Sequence, residues 1–316
     1  MPLIDTLLDP HGWLMAGRLI TAPRVEPGAL RFTEGRLRSA NGDHVMLRGV
    51  SLFWSQWAPA FYNARIVQWL AADWRINVLR VPIAAAAPGY LSDPGAEFEK
   101  AATVVDAALR CGLYVIVDWH GHEPHTEQAI NLFEQFTRRY LDCPNILYES
   151  WNEPGREYAW PTIREHHEAV VDRVRQFAPS AIVLCGVPDF CTCLEVVARD
   201  PVRADNIGYT FHFYAASHRQ GLRRRLERAL DAELPIFVSE WGASEANGDG
   251  ILDFEEADRW LRLLTARSVP HVAWSVHDKA EASALLKPGA SPEGGWRSRD
   301  VSESGNFVRK RLRQPV

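Results

Sequence analysis

The chain has 316 residues, a formal net charge of −5 and a hydrophobic share of 47%, enough for one large core. Its mildly acidic balance and lack of a long basic stretch argue against a nucleic-acid partner, and no apolar run is long enough to span a membrane. Five cysteines without a scaffold spacing, and Cys191 and Cys193 too close for a usual zinc pair, predict free or buried thiols.

Residues 1–30 are punctuated by proline and form an unassigned N-terminal extension. They lack a basic start followed by an apolar stretch, the first Arg or Lys being Arg18. No export leader is visible: the chain as written is expected inside the cell, or outside it if a leader was removed before this chain begins. Asn41-Gly42, between Arg36–Arg38 and Val45–Leu47, predicts a small β-hairpin that could cover a barrel floor.

Eight short β-rich runs then follow at Met46–Leu52, Val78–Ile83, Tyr114–Trp119, Ile146–Trp151, Ala181–Cys185, Ile207–Phe213, Ile236–Ser239 and Val272–Val276. They are nearly continuous in apolar residues, as parallel strands covered on both faces require. The segments between them read as helices. Val67, Leu70, Ala71 and Trp74 form one stripe. Ser217 with Gln220, and Asp253 with Glu256, have the spacing of a capping box. Gly112 stands where a helix end needs a left-handed residue. Eight alternations predict a single (β/α)8 TIM barrel. A doubly wound sheet is the structural alternative, but no Gly-x-Gly-x-x-Gly opens any helix.

In such a barrel the C-terminal strand ends share one pocket. Those ends carry Trp54 and Trp57, Arg80, His120, Asn152 and Glu153, His212 and Tyr214, Glu240, and Trp274. Glu153 and Glu240 are two carboxylates from separate strand ends, the minimum for retaining glycoside hydrolysis. Glu240 is expected to be the nucleophile, its pKa held down by Arg80, with Tyr214 donating to the same carboxylate. Glu153, nearer apolar walls and facing a second negative charge, is expected to be the general acid and then base. Asn152 suits a sugar 2-hydroxyl, His120 and His212 suit orientation of hydroxyls or carboxylates, and Trp57 and Trp274 offer faces for pyranose rings. Taken singly, each has a plainer reading as a helix cap, an ion-pair partner or a core indole; the joint placement carries the argument. His120, His122 and His125 raise a metal reading, but Gly121 and Pro124 break the segment and no carboxylate set matches, so no metal is expected.

Longer segments carry a resemblance. Leu47-Arg48-Gly49-Val50-Ser51, Asp118-Trp119-His120, Tyr148 through Pro154, Tyr209 through Tyr214, Ser239-Glu240-Trp241-Gly242, and Ala273-Trp274-Ser275-Val276-His277-Asp278-Lys279 with Leu285 through Ala290 resemble glycoside hydrolase family 5, in its bacterial endoglucanase (cellulase) branch. The likeness runs from about Gly42 to Val308 and implies a catalytic domain over 31–316. It implies Glu153 as acid/base and Glu240 as nucleophile, with Arg80, His120, Asn152, His212, Tyr214 and Trp274 around the cleavage subsite. It also implies Lys279, Glu281 and Trp57 at more distant glucose units; His122 joins the substrate-binding set. Ala84 stands where many members of the branch have an aromatic residue. Val187-Pro188-Asp189-Phe190 stands where they often place a tryptophan, so both positions are expected to lose sugar contacts.

The expected activity is therefore a retaining endo-β-1,4-glucanase acting on cellulose-like or mixed-linkage β-glucan, a monomer without a cofactor. Mannan, xyloglucan or short cello-oligosaccharides are alternative substrates of the same mechanism. A non-catalytic glycan-binding barrel and a phosphate-using barrel enzyme are alternatives of other classes.

Overall fold

The computed structural model describes residues 27–141 and 143–315; most of the N-terminal extension lies outside them. The first elements are β1 (Leu30–Thr33) and β2 (Arg36–Ser39), an antiparallel pair in the register Leu30↔Ser39. Their turn is Glu34-Gly35, both residues at positive φ (52° and 68°), as a two-residue hairpin with the right twist demands. The hairpin expected at Asn41-Gly42 is thus corrected to a turn at Glu34-Gly35, nearer the N-terminus. The chain does reverse at Asn41-Gly42, but the return forms no strand: it makes the isolated bridge Arg38↔His44, with Ser39 N–H donating to Asp43 O at 2.9 Å and Val45 N–H to Leu37 O at 3.0 Å.

Eight parallel strands follow: β3 (Arg48–Leu52), β4 (Val78–Ala84), β5 (Tyr114–His120), β6 (Ile146–Glu149), β7 (Val183–Cys185), β8 (Ile207–Tyr214), β9 (Ile236–Gly242) and β10 (His271–Val276). They close in the order β10-β3-β4-β5-β6-β7-β8-β9, the (β/α)8 barrel expected from the sequence. Helices Pro94–Arg110, Thr126–Arg139, Trp160–Arg175, Gln220–Asp231, Phe254–Ala266 and Glu303–Leu312 help to form the outer ring. The stripe at Val67, Leu70 and Trp74 is buried, but the helix Ala64–Trp69 passes into a π-helical turn over Leu70–Trp74.

Of the predicted caps, Asp253 accepts from Glu256 N–H at 2.9 Å. Gly112, at φ 67°, ends Pro94–Arg110. Ser217 does not cap: the helix starts at Gln220, and the Ser217 hydroxyl accepts instead from Ala246 N–H, in the loop after β9, at 3.0 Å. No described helix is long and apolar enough to cross a membrane.

The core has three layers. Between barrel and helices lies the main cluster, with Trp74, Phe133 and Trp260 fully buried. Inside the barrel floor, Leu47, Val78, Ile116, Leu147, Leu184, Phe237 and Val272 pack against Leu30, Leu37 and Val45 from the hairpin region. Gly208 makes room for this plug, since a Cβ there would stand 2.6 Å from the Phe32 ring. At the opposite end Phe53, Tyr214 and Trp274 form a small separate cluster with Trp54 against it.

The hairpin is thus part of the core. Leu37→Ala is expected to lower the unfolding free energy by about 3 kcal/mol, read from the urea midpoint at unchanged m-value; an effect within error would make the hairpin a dispensable appendage.

Candidate active site

At the C-terminal ends of the barrel strands the structure opens a cleft of roughly 900 Å³. Its centre is built beneath the surface, on Arg80. This side chain, wholly buried in the middle of β4, extends its guanidinium among three acids. Nε and Nη2 donate to the two oxygens of Glu149 at 2.8 and 3.0 Å, and Nη1 donates to Glu240 Oε2 at 3.0 Å. Nη2 also lies 3.0 Å from Asp118 Oδ2 and donates to Asn152 Oδ1 at 2.6 Å. Only Arg offers a fork with enough fixed donors for this. One cation does not neutralise three carboxylates. Burial, with the neighbouring acids opposing Arg80, therefore pushes Asp118 up to about 8 and raises Glu149.

The two catalytic candidates come together as expected. One oxygen of Glu153, one ring nitrogen of His212 and one oxygen of Glu240 all lie within 4.8 Å of one another. That approach is closer to the ~5–5.5 Å of carboxyl pairs in which one acts as nucleophile than to the ~6.5–9.5 Å of pairs that hold a water between them. The β8–β9 register, which shifts between Thr210 and His212, sets His212 opposite Glu240.

Their surroundings differ. Glu240 Oε1 accepts from the Tyr214 hydroxyl at 2.6 Å and Oε2 accepts from Arg80. Burial, then the Glu240 charge, raises Tyr214 well above the usual phenol range, so it remains a donor. Among the described residues Glu153 has no Lys or Arg partner; its neighbours are histidines. Its Oε1 lies 2.7 Å from His212 Nδ1, and His212 Nε2 lies 2.9 Å from Ser239 Oγ, whose hydroxyl donates to Glu149 at 2.8 Å. A serine has one proton to donate. With that proton on Glu149, Ser239 accepts from His212 Nε2–H, and His212 Nδ1 is left as an acceptor for a Glu153 O–H. Burial depresses His212 to about 4, so the ring is neutral. Burial raises Glu153 to about 7, with His122 and Arg80 opposing and Glu149 adding to the rise. The second negative charge facing Glu153 is therefore chiefly Glu149.

Most other predicted residues line the cleft. Asn152 spends its carbonyl on Arg80 and keeps its NH2 for a ligand. His120 is held by Asp118 at 2.6 Å through Nδ1, stacks on Trp274 with centroids 5.2 Å apart, and hydrogen-bonds neither Glu153 nor Glu240. His122, Lys279 and Glu281 line the wall, the last two as an ion pair. Two assignments change. Arg80 has no exposed surface and is not on the lining, so it acts on a ligand only through Glu240 and Asn152. Trp57 is 62% exposed and off the lining, where Trp54 stands instead, edge-on to His120 at 4.1 Å.

Phe190 reverses an expectation. It lines the cleft, half-exposed, 5.9 Å edge-on from His122, so an aromatic ring is present after β7. Asp189, Phe190 and Cys191 all have positive φ (58°, 53° and 59°), an uncommon state for such side chains. They are tied down by Phe190 N–H to Pro154 O at 3.1 Å and by the Cys191 thiol to Asn152 O at 3.0 Å. Sequence reasoning also gave no role to Asp118, Glu149 or Ser239, although all three lie within quoted motifs.

Fold and site together define a barrel with a paired-carboxylate cleft of retaining-glycosidase geometry. Residues 38–280 match the model for cellulase (glycosyl hydrolase family 5), and the chain belongs to that family. It is 38% identical over 280 residues to endoglucanase A of Evansella cellulosilytica, covering 86% of this chain and 57% of that protein. It is also 38% identical over 309 residues to endoglucanase N of Pectobacterium atrosepticum, covering 96% of this chain and 69% of that one. Among solved structures, the Thermobifida fusca endoglucanase catalytic domain, as a glutamate-to-glutamine variant in complex with cellotetraose, superposes with a TM-score of 0.88 at 31% identity, covering 91% of this chain and 98% of that one.

Removing the shared cation should expose its charge burden. Arg80→Met is expected to cost about 4 kcal/mol of stability, more at pH 8 than at pH 5. The orphaned acids then have folded pKa values above their unfolded ones, so stability is lost as pH rises from the unfolded towards the folded value. Urea unfolding at the two pH values measures this; an equal or smaller loss at pH 8 would contradict the shared-cation account.

Proposed function

We propose that the protein is a retaining endo-β-1,4-glucanase that cleaves internal bonds of cellulose-like or mixed-linkage β-glucan. The observation that carries the reading is the pair Glu153 and Glu240, oxygens within 4.8 Å, one fed by donors and the other facing an acceptor. Family membership and the endoglucanase relatives support the choice of substrate.

In the first step Glu240 attacks the anomeric carbon while Glu153 delivers its proton to the departing glycosidic oxygen. Arg80 and Tyr214 hold the attacking carboxylate and fix which oxygen faces the sugar. Proton loss leaves Glu153 a carboxylate; it then takes a proton from water, which attacks the glycosyl-enzyme ester and releases a sugar of unchanged anomeric configuration. A pKa near 7 suits both duties, since a group poised near the working pH can donate and accept. Asn152 NH2 addresses the 2-hydroxyl beside the reacting carbon. Trp274 supplies the stacking face at the cleavage subsite, and Lys279 with Glu281 addresses hydroxyls of the next glucose units. Trp57 takes a ring only of a chain that extends beyond the cleft.

Two results are expected. Glu153→Gln and Glu240→Gln each lower kcat on β-glucan by about a thousandfold or more while cellotetraose binding by calorimetry persists, whereas a glycan-binding barrel has no turnover to lose. Cellopentaose cleaved in an NMR tube first yields the β-anomer at the new reducing end. First appearance of the α-anomer, or turnover of mannan with none of carboxymethylcellulose or barley glucan, would overturn mechanism or substrate respectively.

A further inference from the structure

Glu153 has two carboxylate oxygens and two histidine neighbours. His212 holds Oε1 from the buried side. On the cleft side stands His122, in the loop after β5, its Nδ1 3.9 Å from Glu153 Oε2 and 3.4 Å from the Glu153 carbonyl oxygen. A carbonyl only accepts, so Nδ1 carries a hydrogen and the ring takes its second proton on Nε2. The loop is fastened to the same residue from below, where Glu153 N–H donates to Gly121 O at 3.4 Å. The two side chains are unequally exposed: 49% for His122 and 16% for Glu153. The Trp54 and Phe190 rings each lie 5.9 Å from the His122 ring, centroid to centroid.

We propose that His122 is a positioning residue that couples the acid/base carboxyl of Glu153 to solvent pH, by placing a chargeable imidazole against the one Glu153 oxygen His212 does not hold. This deepens the glucanase reading and rests on Glu153 being the acid/base. When His122 is protonated its charge favours the Glu153 carboxylate; when it is neutral the carboxyl holds its proton more tightly. The other groups that act on Glu153 are fixed in place: Arg80 on β4, Asp118 on β5, Glu149 on β6, His212 and Tyr214 on β8, Glu240 on β9 and the Cys191 thiol. All are buried. Around His122 itself, His120 precedes it, the Glu123–His125 pair follows at 3.1 Å, and the Arg156–Asp189 pair stands beside Phe190. Among these, His122 alone combines direct approach to Oε2 with access to water. The raised proton affinity of Glu153, opposed first by His122, agrees with this arrangement.

The test titrates Glu153 directly. Protein labelled with 13C at glutamate carboxyls is followed by NMR, the Glu153 signal being identified by its loss in Glu153→Gln. His122→Gln keeps a donor but removes the charge, and His122→Arg makes the charge permanent. The Glu153 midpoint should rise by about half a pH unit in His122→Gln and fall by about one unit in His122→Arg. The alkaline limb of kcat/KM on cellotetraose should move in the same two directions, with melting temperatures unchanged. Midpoints that stay put, or move the same way in both variants, overturn the proposal. Absence of wild-type turnover would overturn the glucanase reading instead, and the carboxyl titration would still decide the role of His122.

Discussion

One buried guanidinium sets the terms for this site. Arg80 holds Glu149, Asp118 and Glu240 at 3.0 Å or less and fixes the Asn152 carbonyl as well. A buried carboxylate without a cation or a proton is too costly to persist. Three acids around one cation must therefore differ in how they meet that cost. Glu149 takes the bidentate contact and Glu240 takes a single one reinforced by Tyr214. Asp118 is pushed up in pKa beside His120. The strand-end residues are ordered because their shared partner is.

From that centre the asymmetry of Glu153 and Glu240 follows without further devices. Ser239 gives its proton to Glu149, so His212 gives Nε2–H to Ser239 and presents a lone pair to Glu153. The direction of each hydrogen bond is inherited from the last. Glu240 faces donors only, and Glu153 faces an acceptor. Two glutamates with one oxygen each within 4.8 Å thus meet opposite kinds of hydrogen-bond partner through connectivity alone.

The barrel was legible because its strands are covered on both faces and so read as apolar runs, and because barrels gather strand ends at one rim. Glu153, Glu240, Tyr214 and Trp274 were found on that rule. Asp118 and Glu149 were not given roles, since one step of register decides whether a strand residue faces the interior or a helix, and the pattern of a fully apolar strand does not show that step. Phe190 was misjudged for another reason: it reaches the cleft only because three successive residues take positive φ, which no propensity announces. Arg80 was placed correctly on its strand and wrongly on the cleft surface, because a long side chain can end well below the rim. The hairpin turn went astray because Asn-Gly is the stronger turn signal, while Glu34-Gly35 is held by the packing of Leu30 and Leu37 onto the barrel floor.

The central claim is that Glu240, held by Arg80 and Tyr214, forms a covalent bond to the sugar. Incubation with a 2-deoxy-2-fluoro cellobioside bearing a good leaving group slows release of the glycosyl-enzyme enough for mass spectrometry of the digested protein. The account predicts one added fluoro-cellobiosyl mass on the peptide containing Glu240, absent in Glu240→Gln. A label on any other residue, or turnover of the natural glucan with no trapped adduct, would contradict it.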